Sequence, residues 1–169
     1  MYEYVPKSDK KTEKLIFFGM LGLATLFYVG SIVPNMLFPA LLQLIAFSLL
    51  TVAIVVISKF MICRYVYRIE PREATENLGE GYDFVIVQYS GKHVSTVCRC
   101  DLSSIVSMTH VTKENKRELS TSHKGKSVYR YVADLRADNV YFLEVSQYDR
   151  IFYLYILSDP VLESLILNH

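Results

Sequence analysis

Charge is what this sequence has least of over one long window. Between residues 15 and 62 the only formally charged side chain is Lys59. The whole chain has a net charge of +1, which gives no global reason to expect a nucleic acid or a strongly acidic partner. Motifs for chemistry are missing as well. There is no glycine loop that would cradle a phosphate, no paired-histidine helix motif and no nucleophile elbow. Asp101, Asp134, Asp138, Glu144 and Asp149 are spread over turns and strand ends, with no spacing that pairs them for acid–base work. The expectation is a chain with no catalytic residues, no metal site and no cofactor.

What is present begins with two apolar runs. The first covers residues 15–33 and the second 37–58, both uncharged. Each is close to the ~20 residues that cross about 30 Å of hydrocarbon as a helix. Buried helices of a soluble core normally keep a polar stripe, and neither run has one. The link between them is short and bracketed by Pro34 and Pro39, which sets an antiparallel hairpin.

Lys7, Lys10, Lys11 and Lys14 precede the hairpin, and Lys59, Arg64, Arg68 and Arg72 follow it. The positive-inside rule then places both termini in the cytoplasm of a multi-pass cell-membrane protein. A cleaved signal peptide competes for the first run, but no small-x-small cleavage site follows it. Within the runs, Gly19, Gly22 and Gly30 are expected to permit close helix approach, and Gln43, Ser48 and Thr51 to hydrogen-bond between helices. With no ionisable group at mid-membrane, a proton or ion pathway is not indicated.

From residue 63 the pattern changes to alternation. Segments 64–70, 82–89, 93–101, 104–111, 127–135, 140–145 and 150–157 read as seven strands, rich in Tyr, Phe, Val and Ile. Polar turns separate them, among them the tight SGK turn at 90–92. Near the end, Asp159 is a good N-cap with Pro160 at the first helical position, and Val161, Leu162, Leu165 and Ile166 form one apolar face. The domain division is therefore 1–14, a cytoplasmic segment; 15–62, the hairpin; and 63–169, a cytoplasmic β-domain.

Seven strands closed by a helix, joined to a membrane hairpin, resemble the bacterial membrane-flanked pleckstrin-homology-like proteins. The resemblance is carried by YRI at 67–69, CRCDLSSIVSM at 98–108 and SDPVLESLIL at 158–167. It implies an α+β membrane protein: a two-helix transmembrane hairpin, then a seven-stranded antiparallel β-domain whose open end the final helix caps. It also implies a binding or scaffolding module, not an enzyme. Phosphoinositide-binding relatives of that fold place Lys and Arg around the loop between their first two strands. Here that loop sets Arg72 against Glu73, Glu76 and Glu80.

Two further features carry side chains able to bind a ligand. On the third strand Val94, Thr96, Cys98 and Cys100 share one face by alternation. Cys98 and Cys100 then read as small buried core residues of a reducing compartment, with metal binding and redox chemistry as the alternatives. His93, His110 and His123 are the remaining side chains for a metal. Cys63 lies at the membrane edge, as an interfacial residue or an acylation site.

The basic stretch is the other feature. Lys113, Lys116, Arg117, Lys124, Lys126 and Arg130 face only Glu114 and Glu118. A solvated mobile loop is the plain reading. Contact with anionic membrane lipid, or with a protein partner, is the sharper one. Partners are thus membrane lipids and a protein partner or a second copy of the chain, with no nucleic acid, since no reader motif accompanies the charge. The alternative is a small accessory subunit of a larger transport or envelope complex, packing through its hairpin. A membrane enzyme with an unrecognised site is the third.

Overall fold

The computed structural model describes residues 1–7, 10–34, 38–72, 79–123, 125–134 and 137–168. The chain divides into two compact units, one of Asp9–Cys63 with Ala133–Arg136, the other of Met1–Ser8, Arg64–Val132 and Ala137–His169. Residues 1–14, expected to be one segment, are thus shared between the two.

The helical unit is the simpler. Helix α1 (Lys11–Ile32) and helix α2 (Pro39–Val56) pack on one another, and α2 runs on as a wider π-helical turn through Ile57–Ile62. Both helices are long and apolar enough to cross a membrane, and 11% and 17% of their most apolar windows is buried. Their leucines therefore do not form a core. Leu15, Leu26 and Leu44 are 75%, 70% and 65% exposed.

Apart from Glu13 in the first turn of α1, what is buried on these helices is small: Ala24 and Ser31 on α1, Ala46 and Ala53 on α2. Small side chains let helix backbones approach closely where large ones would hold them apart. The glycines are not part of this. A Cβ built at Gly19, Gly22 or Gly30 meets nothing within 4 Å, so these positions do not set the helix approach. Nor do Ser48 and Thr51 bond between helices. Each donates to a carbonyl one turn back on its own helix, to Leu44 at 2.8 Å and Phe47 at 2.9 Å. In an apolar surrounding that carbonyl is the nearest acceptor, which is why the expectation fails. Gln43 is exposed.

Lys10 closes the base of the hairpin. Its ammonium donates to the carbonyls of Met61 at 2.8 Å and Cys63 at 3.3 Å. A cation suits the carbonyl end of a helix, where the macrodipole is negative.

The strand unit holds two four-stranded sheets. The first has the order β1 (Tyr2–Tyr4), β2 (Cys63–Arg72), β3 (Gly81–Ser90), β4 (His93–Asp101). The second has the order β5 (Ile105–His110), β7 (Val140–Gln147), β8 (Arg150–Leu157), β6 (Ser127–Arg130). Helix α3 (Lys116–Ser122) lies between β5 and β6 in sequence, and helix α4 (Pro160–Leu167) ends the chain.

The expected seven antiparallel strands are corrected in two ways. Among the described residues there are eight strands, and β6 pairs with β8 in parallel. The additional strand, β1, is three residues long and antiparallel to β2, with Tyr4 opposite Tyr67 across the intervening hairpin. Nothing local marks so short a segment as a strand. β6 does not follow β5 in the sheet because β7 takes that place. The long connection through α3 removes the tight turn that would force neighbours in sequence to be neighbours in the sheet.

One core joins the sheets. Tyr67, Phe84 and Ile86 come from the first, Leu143, Leu154 and Ile156 from the second, and Leu162 and Ile166 from α4. Val161, expected on the buried face of α4, is 50% exposed, since positions 162 and 166 stand one turn apart and 161 turns away. The Asp159 carboxylate caps α4 by accepting from the Leu162 amide at 2.8 Å, as its position suggests. Tyr2 adds what sequence does not show, donating its hydroxyl to the same carboxylate at 3.0 Å.

Tyr67 links the sheets inside the core. Its hydroxyl donates to the Tyr131 carbonyl at 2.7 Å and accepts from the Leu157 amide at 3.0 Å. Burial pushes its ionisation far above the ordinary tyrosine range.

Candidate functional site

The basic segment folds more than its composition suggests. Asn115 Oδ1 accepts from the Thr112 amide at 2.8 Å, and Thr112 Oγ1 accepts from the Asn115 amide at 3.3 Å. This reciprocal pair turns the chain out of β5 and into α3. After α3 comes His123, which is buried and tilted against the rings of Phe142 at 5.1 Å and Tyr153 at 5.4 Å. Its Nδ1 has no hydrogen-bond partner among the described residues. The stretch expected to be a free loop is therefore held to the second sheet by a histidine among aromatic rings.

The six basic residues are distributed over that arrangement. Lys113 lies in the turn after β5, and Lys116 and Arg117 form the first turn of α3, all exposed. Lys124 lies outside the described residues. Lys126 donates to the Tyr153 hydroxyl at 2.9 Å, with its nitrogen 5.3 Å from the centre of that ring. That bond raises its pKa, and the nearby Glu144 adds to it. Arg130 ends β6 opposite Tyr155. Lys126 and Arg130 thus flank one aromatic face, while Lys113, Lys116 and Arg117 gather at the α3 end.

Arg72, in the loop compared with phosphoinositide binders, is engaged elsewhere. Its guanidinium pairs with Asp83 at 3.0 Å and Asp101 at 2.9 Å. Arg99 pairs with Asp83 at 2.9 Å and Glu70 at 3.4 Å, and Arg68 with Glu3 at 2.7 Å. These ions form a ladder across all four strands of the first sheet. Glu73 and Glu76 lie outside the described residues.

The cysteine face is partly as expected. Cys98 and Cys100 stand opposite the buried Ile86 and Phe84, and Cys100 is 1% exposed. Val94, assigned to the same face, is 59% exposed. The register shifts between Ile86 and Val87, so Val97 is an additional residue in β4 and alternation is not continuous through it. All three cysteines are free, and Cys63 is buried, which leaves its thiol little access for modification.

The Cys100 thiol donates to the Phe84 carbonyl at 3.9 Å. The adjacent Cys100 thiol lowers the pKa of Cys98 against the raising effect of burial, and Cys98 together with burial pushes that of Cys100 up. No group of three His, Cys, Asp or Glu among the described residues is placed to hold a metal.

Immediately after the cysteines, Asp101 accepts from the amide and hydroxyl of Ser103 at 3.0 and 2.8 Å. This turn buries Leu102 and passes the chain from the first sheet to the second.

The feature that sequence reasoning missed is a cleft of about 650 Å³ beside Cys98, within the strand unit. Its walls come from β4, β6 with the residue after it, the β7–β8 turn and the start of β8, and include Arg99, Tyr129, Tyr131, Arg150 and Phe152. No signal in the sequence joins these residues, since they come from separate strands and meet only by folding. No family model matches this chain, and neither a curated protein nor a solved structure matches it.

Proposed function

We propose that this chain is a non-catalytic, membrane-anchored binding or scaffolding module. The strand unit takes the pleckstrin-homology-like role at the cytoplasmic face of a bacterial cell membrane. The observation that carries the reading is the pairing of β1 with β2. Tyr2, Glu3 and Tyr4 precede the helices, yet stand opposite Ile69, Arg68 and Tyr67, which follow them. A hairpin inserted between two paired strands has to return to the side it left, so it makes an even number of crossings. The lysines and arginines at both its ends support the cytoplasmic side for that return.

In this reading the hairpin holds the strand unit at the membrane, and the unit binds a protein or a second copy of itself. A fixed tether raises the local concentration for anything else held at the same membrane. The exposed Lys113, Lys116 and Arg117 touch anionic headgroups, each contributing about 1 kcal/mol where it comes near the surface.

The test is photo-crosslinking from exposed positions of the full-length chain in its native membrane, combined with protease protection of tags at both ends. Protein adducts and two cytoplasmic tags are expected. A protected tag at either end sinks the topology, and the absence of protein adducts sinks the binding role. Flotation with phosphatidylglycerol vesicles should weaken on reversing Lys116 and Arg117 to Glu, and unchanged flotation removes the lipid contact.

A second reading, an accessory subunit of a larger membrane complex, is favoured by one feature. The helical unit has an apolar groove of about 180 Å³ lined by Leu21, Ala24, Tyr28, Ala46, Phe47 and Leu50. Adducts concentrated at Tyr28 and Phe47 would select it.

A further inference from the structure

The cleft of the strand unit has a composition that points to one kind of occupant. Sheet order leaves β4 and β6 as edge strands, and both contribute walls to the same space. β6 has β8 on one side and, among the described residues, no strand on the other, and all four of its residues are exposed. Alternate backbone groups along such an edge are unpaired by any strand, and an extended polypeptide can pair with them. The volume, about 650 Å³, is within the usual range of ligand clefts, about 300–1,000 Å³.

The walls are aromatic and cationic. Tyr129, Tyr131, Tyr148 and Phe152 supply rings, while Arg99 and Arg150 supply charge, and among the described residues no carboxylate lines the space. Asp83 and Glu70 already offset Arg99, so Arg150 is the side chain that sets the sign. Tyr148 stands at φ 51° in the two-residue turn between β7 and β8, with Asp149 at φ 59°. Such turns favour Asn, Asp or Gly, because a bulky residue at positive φ is strained. The ring held there is 76% exposed.

We infer that this cleft binds an extended, acidic polypeptide segment, which adds along the β6 edge with its carboxylates toward Arg150 and its other side chains among the tyrosines. This site rests on the binding-module reading and gives that module its partner chemistry. Two strand edges beside the cleft favour a peptide over a lipid headgroup, which would use the arginine but leave the backbone edge unpaired.

Cys98 supplies the readout, since it is half-buried in the cleft wall while Cys63 and Cys100 are buried. The full chain in detergent micelles is mixed with fluorescein-labelled hexapeptides that carry Glu at alternate positions, the others being varied. A Lys counterpart and phosphatidylglycerol vesicles are run in parallel. The Glu pool is expected to bind and to slow maleimide labelling of Cys98 at least tenfold. Arg150→Glu should weaken Glu-pool binding at least tenfold and let the Lys pool bind. Continued protection of Cys63 and Cys100 reports that this variant is folded.

Unchanged Cys98 labelling with the Glu pool overturns the proposal, as does Arg150→Glu binding it within twofold of the parent. Vesicles that protect Cys98 as well as the peptides assign the cleft to lipid and overturn it too. If the cleft fails while native-membrane crosslinking still gives protein adducts elsewhere on the strand unit, only this site falls. Loss of both removes the binding role itself.

Discussion

Leu44 and Leu154 both sit in strongly apolar segments, yet the first is 65% exposed and the second 0%. In the helical unit most large side chains are exposed, and the contact between helices is made by alanines with the Tyr28–Phe47 ring pair beside them. In the strand unit the large side chains meet each other and the polar ones face out. Apolarity in the first unit stays largely on the surface; in the second it builds a core. The same residue type therefore has a different energetic role in each, and substitutions should separate the two.

The largest difference is expected from truncating the two leucines. Leu154→Ala leaves a cavity between the sheets and should cost about 2–5 kcal/mol, read from the denaturant unfolding of the strand unit. Leu44→Ala should shift stability by no more than about 0.5 kcal/mol. Equal costs would break the comparison.

Tyr67→Phe comes next, because it keeps the ring and strips the hydroxyl from one buried and one partly buried backbone group. Each group left unsatisfied costs about 1–3 kcal/mol, seen as a lower melting temperature by circular dichroism. Asp159→Ala should cost about 1 kcal/mol through the lost α4 cap. Tyr2→Phe, which leaves the cap in place, should cost less.

Smallest is Gly22→Ala. A Cβ there meets nothing within 4 Å, so relief of glycine's entropy in a helix should stabilise by about 0.5–1 kcal/mol. A loss on thermal unfolding in micelles would place Gly22 at a helix contact after all.

Acid provides a further probe of the strand unit alone. Partial burial raises the Asp101 pKa, but the Ser103 hydroxyl and amide and the Arg72 guanidinium outweigh it and hold the carboxyl below the usual aspartate value. The folded state then binds fewer protons than the unfolded one. Its contribution is present above an ordinary pKa of about 3.9 and is lost as pH falls through the folded value. Asp101→Asn should flatten the acid limb of a stability–pH profile, and an unchanged limb would assign that limb to other carboxylates.

Legibility followed the range of the interactions. The two helices, the tight turn at Gly91, the Asp159 cap and most strands are local patterns of period, length or turn chemistry, and they stand within a few residues of where the sequence placed them. β1 was invisible because its partner lies more than sixty residues away, beyond the hairpin. The place of β6 was invisible because a long connection no longer constrains neighbours. His123 read as a loop residue, since nothing in KENKRELSTSHKGKS shows that aromatic rings from β7 and β8 receive it. Alternation marked Cys98 and Cys100 as core-facing, but the displacement at Val97 exposed Val94.

The sequence by itself determined that two helices are apolar enough for a membrane, and that strands and a capped helix follow. Those properties depend on composition and on side-chain periods within a single segment. Tertiary structure decided that a strand before the helices pairs with one after them, and that β6 is an edge strand beside β8. It also decided that two arginines and four aromatic rings share one cleft. Strand pairing is a choice among distant partners, made by the total burial and hydrogen bonding of the assembled sheets, and no single segment records it.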